Sequence, residues 1–150
     1  MIQKNTIDDF LSLRSYAVVG VSRNGKKFGN IIYRMLKLRD CRVYAVNPHA
    51  EEVEGDRCYP RLKALPEKVE GVVIVVPPKQ TESIVKEIAA EGIRRVWMQQ
   101  GSESKSAIEY CEQYGLDAIH GHCLLMFAEP VISVHRFHRW GMELFHKLPA

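Results

Sequence analysis

The stretch "AVVGVSRNGKKFGN" (residues 17–30) opens like the phosphate loop of a nucleotide-binding fold and then leaves that pattern. A buried strand, a glycine and a polar loop leading into a helix are the parts of a dinucleotide fingerprint, GxGxxG. Its second glycine lets a pyrophosphate approach the backbone, and its third packs the helix on the strand. Here the order is Gly20-Val21-Ser22-Arg23-Asn24-Gly25, so a serine stands at the second glycine, and "KKFG" follows. The helix is therefore expected nearer Phe28 and Gly29, after a loop longer than the fingerprint allows. With a hydroxyl at Ser22 and cations at Arg23, Lys26 and Lys27 before a helix N-terminus, such a loop can hold phosphate through side-chain and backbone donors.

The same alternation continues outward. "YAVVGV" (16–21), "RVYAVN" (42–47), "GVVIVV" (71–76), "RRVWMQ" (94–99) and "LDAIH" (116–120) are short apolar runs of the kind that parallel strands show when both faces are covered. Between them, "FGNIIYRMLKLRD" (28–40) places Phe28, Ile31, Ile32, Met35, Leu36 and Leu38 near helical spacing. "KQTESIVKEIAAEG" (79–92) gathers Ile84, Val85, Ile88 and Ala89 on one face before Gly92. A third helix, "SESKSAIEYCEQYG" (102–115), is expected to start at Ser102 as N-cap with Glu103 in its first turn, and to stop at Gly115. This pattern predicts an α/β fold: a Rossmann-like, doubly wound, five-stranded parallel sheet in the order 3-2-1-4-5. Ligands of such sheets sit beyond the carboxyl ends of the strands where the order reverses, here beside Gly20. The connection at 48–70 is weakly periodic and reads as a loop with an extended piece at "RCYP" and one helical turn near Leu62 to Leu65.

Two flanks are expected outside this core. "TIDDFLSL" (6–13) reads as a short helix capped by Thr6, and Pro130 suits the first turn of a C-terminal helix reaching about residue 148. Val134, Phe137, Gly141, Phe145 and Leu148 form a stripe on it that would pack on the domain's own sheet or make a homodimer. With 150 residues, 46% hydrophobic and 26% charged, the chain has the size of a single domain over 1–150 with a core at about 14–127. A net charge of +3 without a long basic run argues against nucleic acid and suits a small anion. Cys41, Cys58, Cys111 and Cys123 show no CxxC spacing, which fits reduced thiols in the cytoplasm. No apolar run approaches a membrane span, and Asp8 and Asp9 interrupt any signal-peptide core.

The strand ends discriminate among nucleotides. An NAD site places Asp or Glu at the end of the second strand to accept the ribose hydroxyls, whereas this chain has Asn47-Pro48, with Glu51 and Glu52 arriving several residues late. A neutral end tolerates a phosphorylated ribose if a cation reaches it. The third strand ends in Val76-Pro77-Pro78, which offers few N–H donors but a rigid apolar ledge for an adenine ring.

"VVGVSRNGKKFG", "VYAVNP", "VVIVVPP", "VWMQQG" and the "HC" after the fifth strand, in this order, resemble the small CoA-binding protein family, related to the CoA-binding domain of the succinyl-CoA synthetase α subunit. The resemblance covers roughly residues 14–127. It implies a Rossmann-like domain that binds coenzyme A or an acyl-CoA without a catalytic set of its own. Gly20, Ser22, Lys27, Phe28 and Gly29 would then surround the phosphates, together with the Arg23 read from the loop chemistry. Asn47 and Pro48 would line the next loop, Val76, Pro77 and Pro78 the adenine side, and Gln100 and Gly101 the far wall. The chain departs from the family at Gly121-His122 before Cys123. The alternative reading is an NAD(P)- or CoA-dependent enzyme using His122 and Cys123 near the pocket. A metal site built from His120, His122, Cys123, His135 and His138 lacks an evident acidic ligand, and no metal is assigned. An NAD(H)-responsive regulator fits poorly, since the chain leaves no room for a DNA-binding module.

Overall fold

A computed structural model describes residues 4–128. The expected C-terminal helix, its apolar stripe, His135, His138 and His146 lie outside the described residues. In chain order the elements are α1 (Lys4–Leu11), β1 (Ser15–Val19), α2 (Phe28–Lys37), β2 (Arg42–Val46), β3 (Glu52–Val53), β4 (Asp56–Tyr59), β5 (Gly71–Ile74), α3 (Pro78–Ala90), β6 (Arg95–Gln99), α4 (Lys105–Tyr114) and β7 (Asp117–His122), with 3-10 turns at Leu62–Ala64 and Leu124–Met126. All five expected strands form, and their side chains are divided between two faces by the two-residue period. Val18 and Trp97 join the cluster under α1 and α2, while Ala17, Val19 and Met98 join the one under α3 and α4. Phe10 of α1 packs edge-on against Trp97 at 5.5 Å between ring centroids, closing the first layer.

The strand count and order differ from the five-stranded expectation. The sheet has seven strands in the order β3-β4-β2-β1-β5-β6-β7, so the five strands foreseen run 2-1-3-4-5. The "RCYP" piece is a full strand, β4, in parallel register with β2 through Ala45 with Cys58 and Val46 with Tyr59. Of its four residues only Cys58 is buried, so it carries no apolar run to announce it. With β4 counted, the six parallel strands run 3-2-1-4-5-6. β3 adds an antiparallel edge through a two-residue turn in which Glu54 (φ 53) and Gly55 (φ 77) are both left-handed, the geometry a type I′ hairpin requires.

Three local expectations also change. α1 begins at Lys4, which puts Thr6 inside the helix rather than at its cap. Leu38 falls past the end of α2 and is exposed. α4 is capped by Ser104, whose hydroxyl accepts the Ala107 N–H at 3.1 Å, while Glu103 folds back to accept the Gly101 N–H. Ser102 has another task. It is buried, its Oγ accepts the Val76 N–H, and its carbonyl accepts the Thr81 hydroxyl at 2.6 Å, so it ties the β6 loop to the start of α3. Pro78 stands at the first turn of α3 as expected. Among the described residues no helix is long and apolar enough to cross a membrane.

Candidate functional site

β1 ends abruptly at Gly20. Its φ of +116° is closed to ordinary L residues, and a Cβ there would stand 2.0 Å from the Val75 carbonyl oxygen. The chain then loops out and returns so tightly that a Cβ on Gly29 would stand 2.3 Å from the Gly20 carbonyl oxygen. Gly29, at the first turn of α2, is therefore the glycine that seats the helix on the strand. Gly25, at the fingerprint's nominal position, would meet only ordinary contacts at 3.4 Å.

Asn30 fixes the loop between these glycines. It is fully buried; its Oδ1 accepts the Ser22 N–H at 2.8 Å, and its Nδ2 donates to the Ser22 carbonyl and to Glu54 Oε2, both at 2.7 Å. Arg34 pairs with the same carboxylate and donates to the Gly25 carbonyl. Burial would raise the Glu54 carboxyl, but the hydrogen bonds from Asn30 and Arg34 outweigh it and hold the carboxyl below its usual range. From the other side, Asn47 Nδ2 donates to the Val21 carbonyl at 2.8 Å, while its Oδ1 accepts the His49 N–H. The Ser22 hydroxyl accepts the Asn24 N–H and shapes the turn. The loop is thus rigid before any ligand arrives.

Above this loop a cavity of about 870 Å³ opens along the carboxyl ends of β1, β2, β5 and β6. Every residue assigned to the site from sequence lines it except Arg23 and Pro78: Gly20, Ser22, Lys27, Phe28 and Gly29 from the first loop, Asn47 and Pro48 after β2, Val76 and Pro77 after β5, and Gln100 and Gly101 after β6. Arg23 is an exposed residue outside the lining, and Pro78 is taken up in α3. No side chain caps the N-terminus of α2 or that of α3. The first turn of α2 borders the cavity through Phe28 and Gly29, where the helix dipole favours an anion, whereas α3 opens on Pro78, which has no N–H to give.

Sequence reasoning missed two walls. One is the loop after β4, which brings Pro60, Arg61 and Leu62; the extended piece expected at "RCYP" carries no sign that it joins the sheet beside β2 and so reaches the cavity. The other is a face of α3, where Gln80, Ser83, Ile84 and Glu87 repeat at helical spacing and line the cavity. That spacing directly after Val76-Pro77 was the available signal. Glu87 also accepts the Leu62 N–H at 2.7 Å, joining the two walls. Lys27, His49 and Arg61 are the basic residues of the lining, and Glu87 is its acidic one.

Cys123 lies on the cavity wall, whereas His122 lies outside the lining and its ring meets Phe127 edge-on at 5.6 Å. Among the described residues no group of three His, Cys, Asp or Glu side chains could hold a metal ion.

A family model described as a CoA binding domain matches residues 14–129, from just before β1 to just past the last 3-10 turn. The chain belongs to the CoA-binding domain family. Curated relatives include acetate–CoA ligases: this CoA-binding domain is 30% identical over 137 residues to the ADP-forming acetate–CoA ligase I of Archaeoglobus fulgidus, covering 85% of this chain and 20% of the ligase. It is 31% identical over 129 residues to the α subunit of ADP-forming acetate–CoA ligase II of Pyrococcus furiosus, covering 79% of this chain and 28% of the subunit. The chain therefore spans less than a third of the length of either relative. Solved structures of its own size also match. A hypothetical protein from Pyrococcus horikoshii superposes with TM-score 0.76 at 28% identity, covering 93% of this chain and 92% of that one. A conserved hypothetical protein from Pyrococcus furiosus has TM-score 0.70 at 38% identity, covering 74% and 96%.

Proposed function

We propose that this domain binds coenzyme A or an acyl-CoA reversibly, as a module that acts without a catalytic set of its own. The observation that carries the reading is the Gly20–Gly29 approach, which opens the uncapped N-terminus of α2 and Lys27 onto a preformed cavity at the strand-order reversal. That is where a diphosphate finds backbone donors and a cation. The adenine is assigned to the apolar part of the lining, Pro60, Leu62, Pro77 and Ile84. Arg61, also on the lining, supplies the cation a phosphorylated ribose needs, in place of the carboxylate an NAD site would carry. Matching proteins of similar length support a module that works by itself, and the ligase relatives support CoA as its ligand class.

Isothermal titration with CoA, 3′-dephospho-CoA and NAD tests this. The expected ranking is CoA, then dephospho-CoA, then NAD, with the last undetectable. Equal affinity for CoA and NAD would contradict the reading. The enzymatic alternative loses support because His122, unlike Cys123, is not among the residues that line the cavity.

A further inference from the structure

The β3–β4 turn carries a residue that turn chemistry does not ask for. A two-residue turn of this hand needs a left-handed backbone at both central positions, which asparagine and glycine take up readily. Gly55 (φ 77) meets the requirement, but Glu54 (φ 53) is the one non-glycine residue with a positive φ among the described residues. Its side chain is only 15% exposed although the turn lies at the surface, where a Cβ on Gly55 would meet nothing within 4 Å. The carboxylate is drawn inward to α2: its Oε2 accepts Asn30 Nδ2 at 2.7 Å, and Arg34 Nη1 donates to both oxygens, at 2.8 and 2.9 Å. A residue held by such bonds in a sparsely populated conformation points to a role beyond the turn.

That role lies on the far side of Asn30 and Arg34. Asn30 grips Ser22 at both its N–H and its carbonyl, and the Arg34 nitrogen that meets Glu54 also donates to the Gly25 carbonyl at 3.1 Å. Two attachments of the loop therefore lead to one carboxylate. A Cβ on Gly25 would stand 3.4 Å from Glu54 Oε2, so the carboxylate lies directly against the loop. Glu54, Asn30, Arg34 and Gly25 are nevertheless all outside the cavity lining. Resting on the CoA reading above, we propose that Glu54 is a positioning residue for ligand binding: from outside the cavity it holds Ser22 through Asn30 and Gly25 through Arg34, and so fixes the loop in the shape that receives the diphosphate. Asp56, on the other strand of the hairpin, bonds Tyr33 and Lys37 of α2 instead. It anchors the hairpin without touching the loop, which is left to Glu54.

The test compares wild-type protein with Glu54→Asn, Glu54→Gln and Asp56→Asn. Asparagine suits the turn better than glutamate but is one methylene too short to reach Asn30 and Arg34, whereas glutamine keeps the length and an oxygen for Asn30. Asp56→Asn weakens the hairpin's other anchor. In Glu54→Asn, CoA is expected to bind about tenfold more weakly by calorimetric titration. Amide hydrogen exchange at Ser22 should speed up in the ligand-free variant, while the Cys58 N–H, held by the Glu51 carbonyl at 2.8 Å, keeps its protection. Glu54→Gln is expected to recover most of the affinity, and Asp56→Asn to bind CoA as the wild type does. Unchanged affinity in Glu54→Asn, an equal loss in Glu54→Gln or in Asp56→Asn, or loss of the Cys58 protection along with affinity would each overturn the proposal while the CoA reading stands. Wild-type protein that binds no CoA would overturn the CoA reading instead. The Ser22 exchange needs no ligand and still decides whether Glu54 holds the loop: an unchanged rate in Glu54→Asn overturns it.

Discussion

Gly29 lies so close to Gly20 that a single methyl group on it would stand 2.3 Å from the Gly20 carbonyl oxygen. This contact sets the start of α2 against the end of β1 and so places the helix N-terminus at the mouth of the cavity. Gly29→Ala is expected to lose about 1–3 kcal/mol by forcing helix and strand apart, and Gly20→Ala at least as much, since its φ of +116° adds backbone strain. Gly25→Ala should change stability by less than about 0.5 kcal/mol. Urea denaturation of the three variants checks the order.

Asn30 ties together Ser22, in the loop, and Glu54, in the β3–β4 turn. Asn30→Ala leaves a buried N–H, a carbonyl and a carboxylate to find other partners, at a cost of about 2–4 kcal/mol. The loop that surrounds the phosphates then becomes mobile, so CoA affinity should fall as well, although Asn30 does not line the cavity. Calorimetry on the folded fraction separates the two effects.

The cations should divide by position. Lys27→Ala is expected to weaken CoA about tenfold, near 1.4 kcal/mol. Arg23→Ala should have little effect, because Arg23 lies outside the lining. Arg61→Ala should cost CoA affinity and leave dephospho-CoA nearly unchanged. Titrations of the two ligands against each variant provide the comparison.

Acid should loosen the β3–β4 edge first. Asp56 accepts hydrogen bonds from Lys37 and Tyr33, which hold its carboxyl below the usual range, and Glu54 is likewise lowered in the folded state. A carboxyl lowered by folding contributes stability that is present above its unfolded value of about 4 and is lost as pH falls through the folded one. The urea midpoint is therefore expected to hold steady from pH 7 to 5 and drop below about pH 4, with a shallower drop in Asp56→Asn.

What the sequence made legible follows from burial. β1, β5 and β6 carry apolar runs because both faces of the sheet's centre are covered, and Gly20 and Gly29 bracket the loop in plain view. β4 shows in the sequence only as an extended piece at "RCYP", because a short strand near the sheet edge needs only Cys58 inside, and its place in the sheet, the true strand order and the role of Arg61 stay out of view. Asn30 and Ser102 were in the quoted stretches, yet their work is done by hydrogen bonds to residues distant in the chain, which no local pattern reveals. Gln99 reads as an ordinary strand end until the Leu124 N–H is seen to claim one half of its amide.

The most direct measurement is native mass spectrometry of the purified protein, before and after adding CoA. The expected result is a one-to-one complex with the mass of CoA or an acyl-CoA, together with a thermal stabilisation corresponding to about 2.7 kcal/mol at a hundredfold excess over the dissociation constant. Co-purified NAD, or no adduct and an unchanged melting temperature at millimolar CoA, would contradict the account.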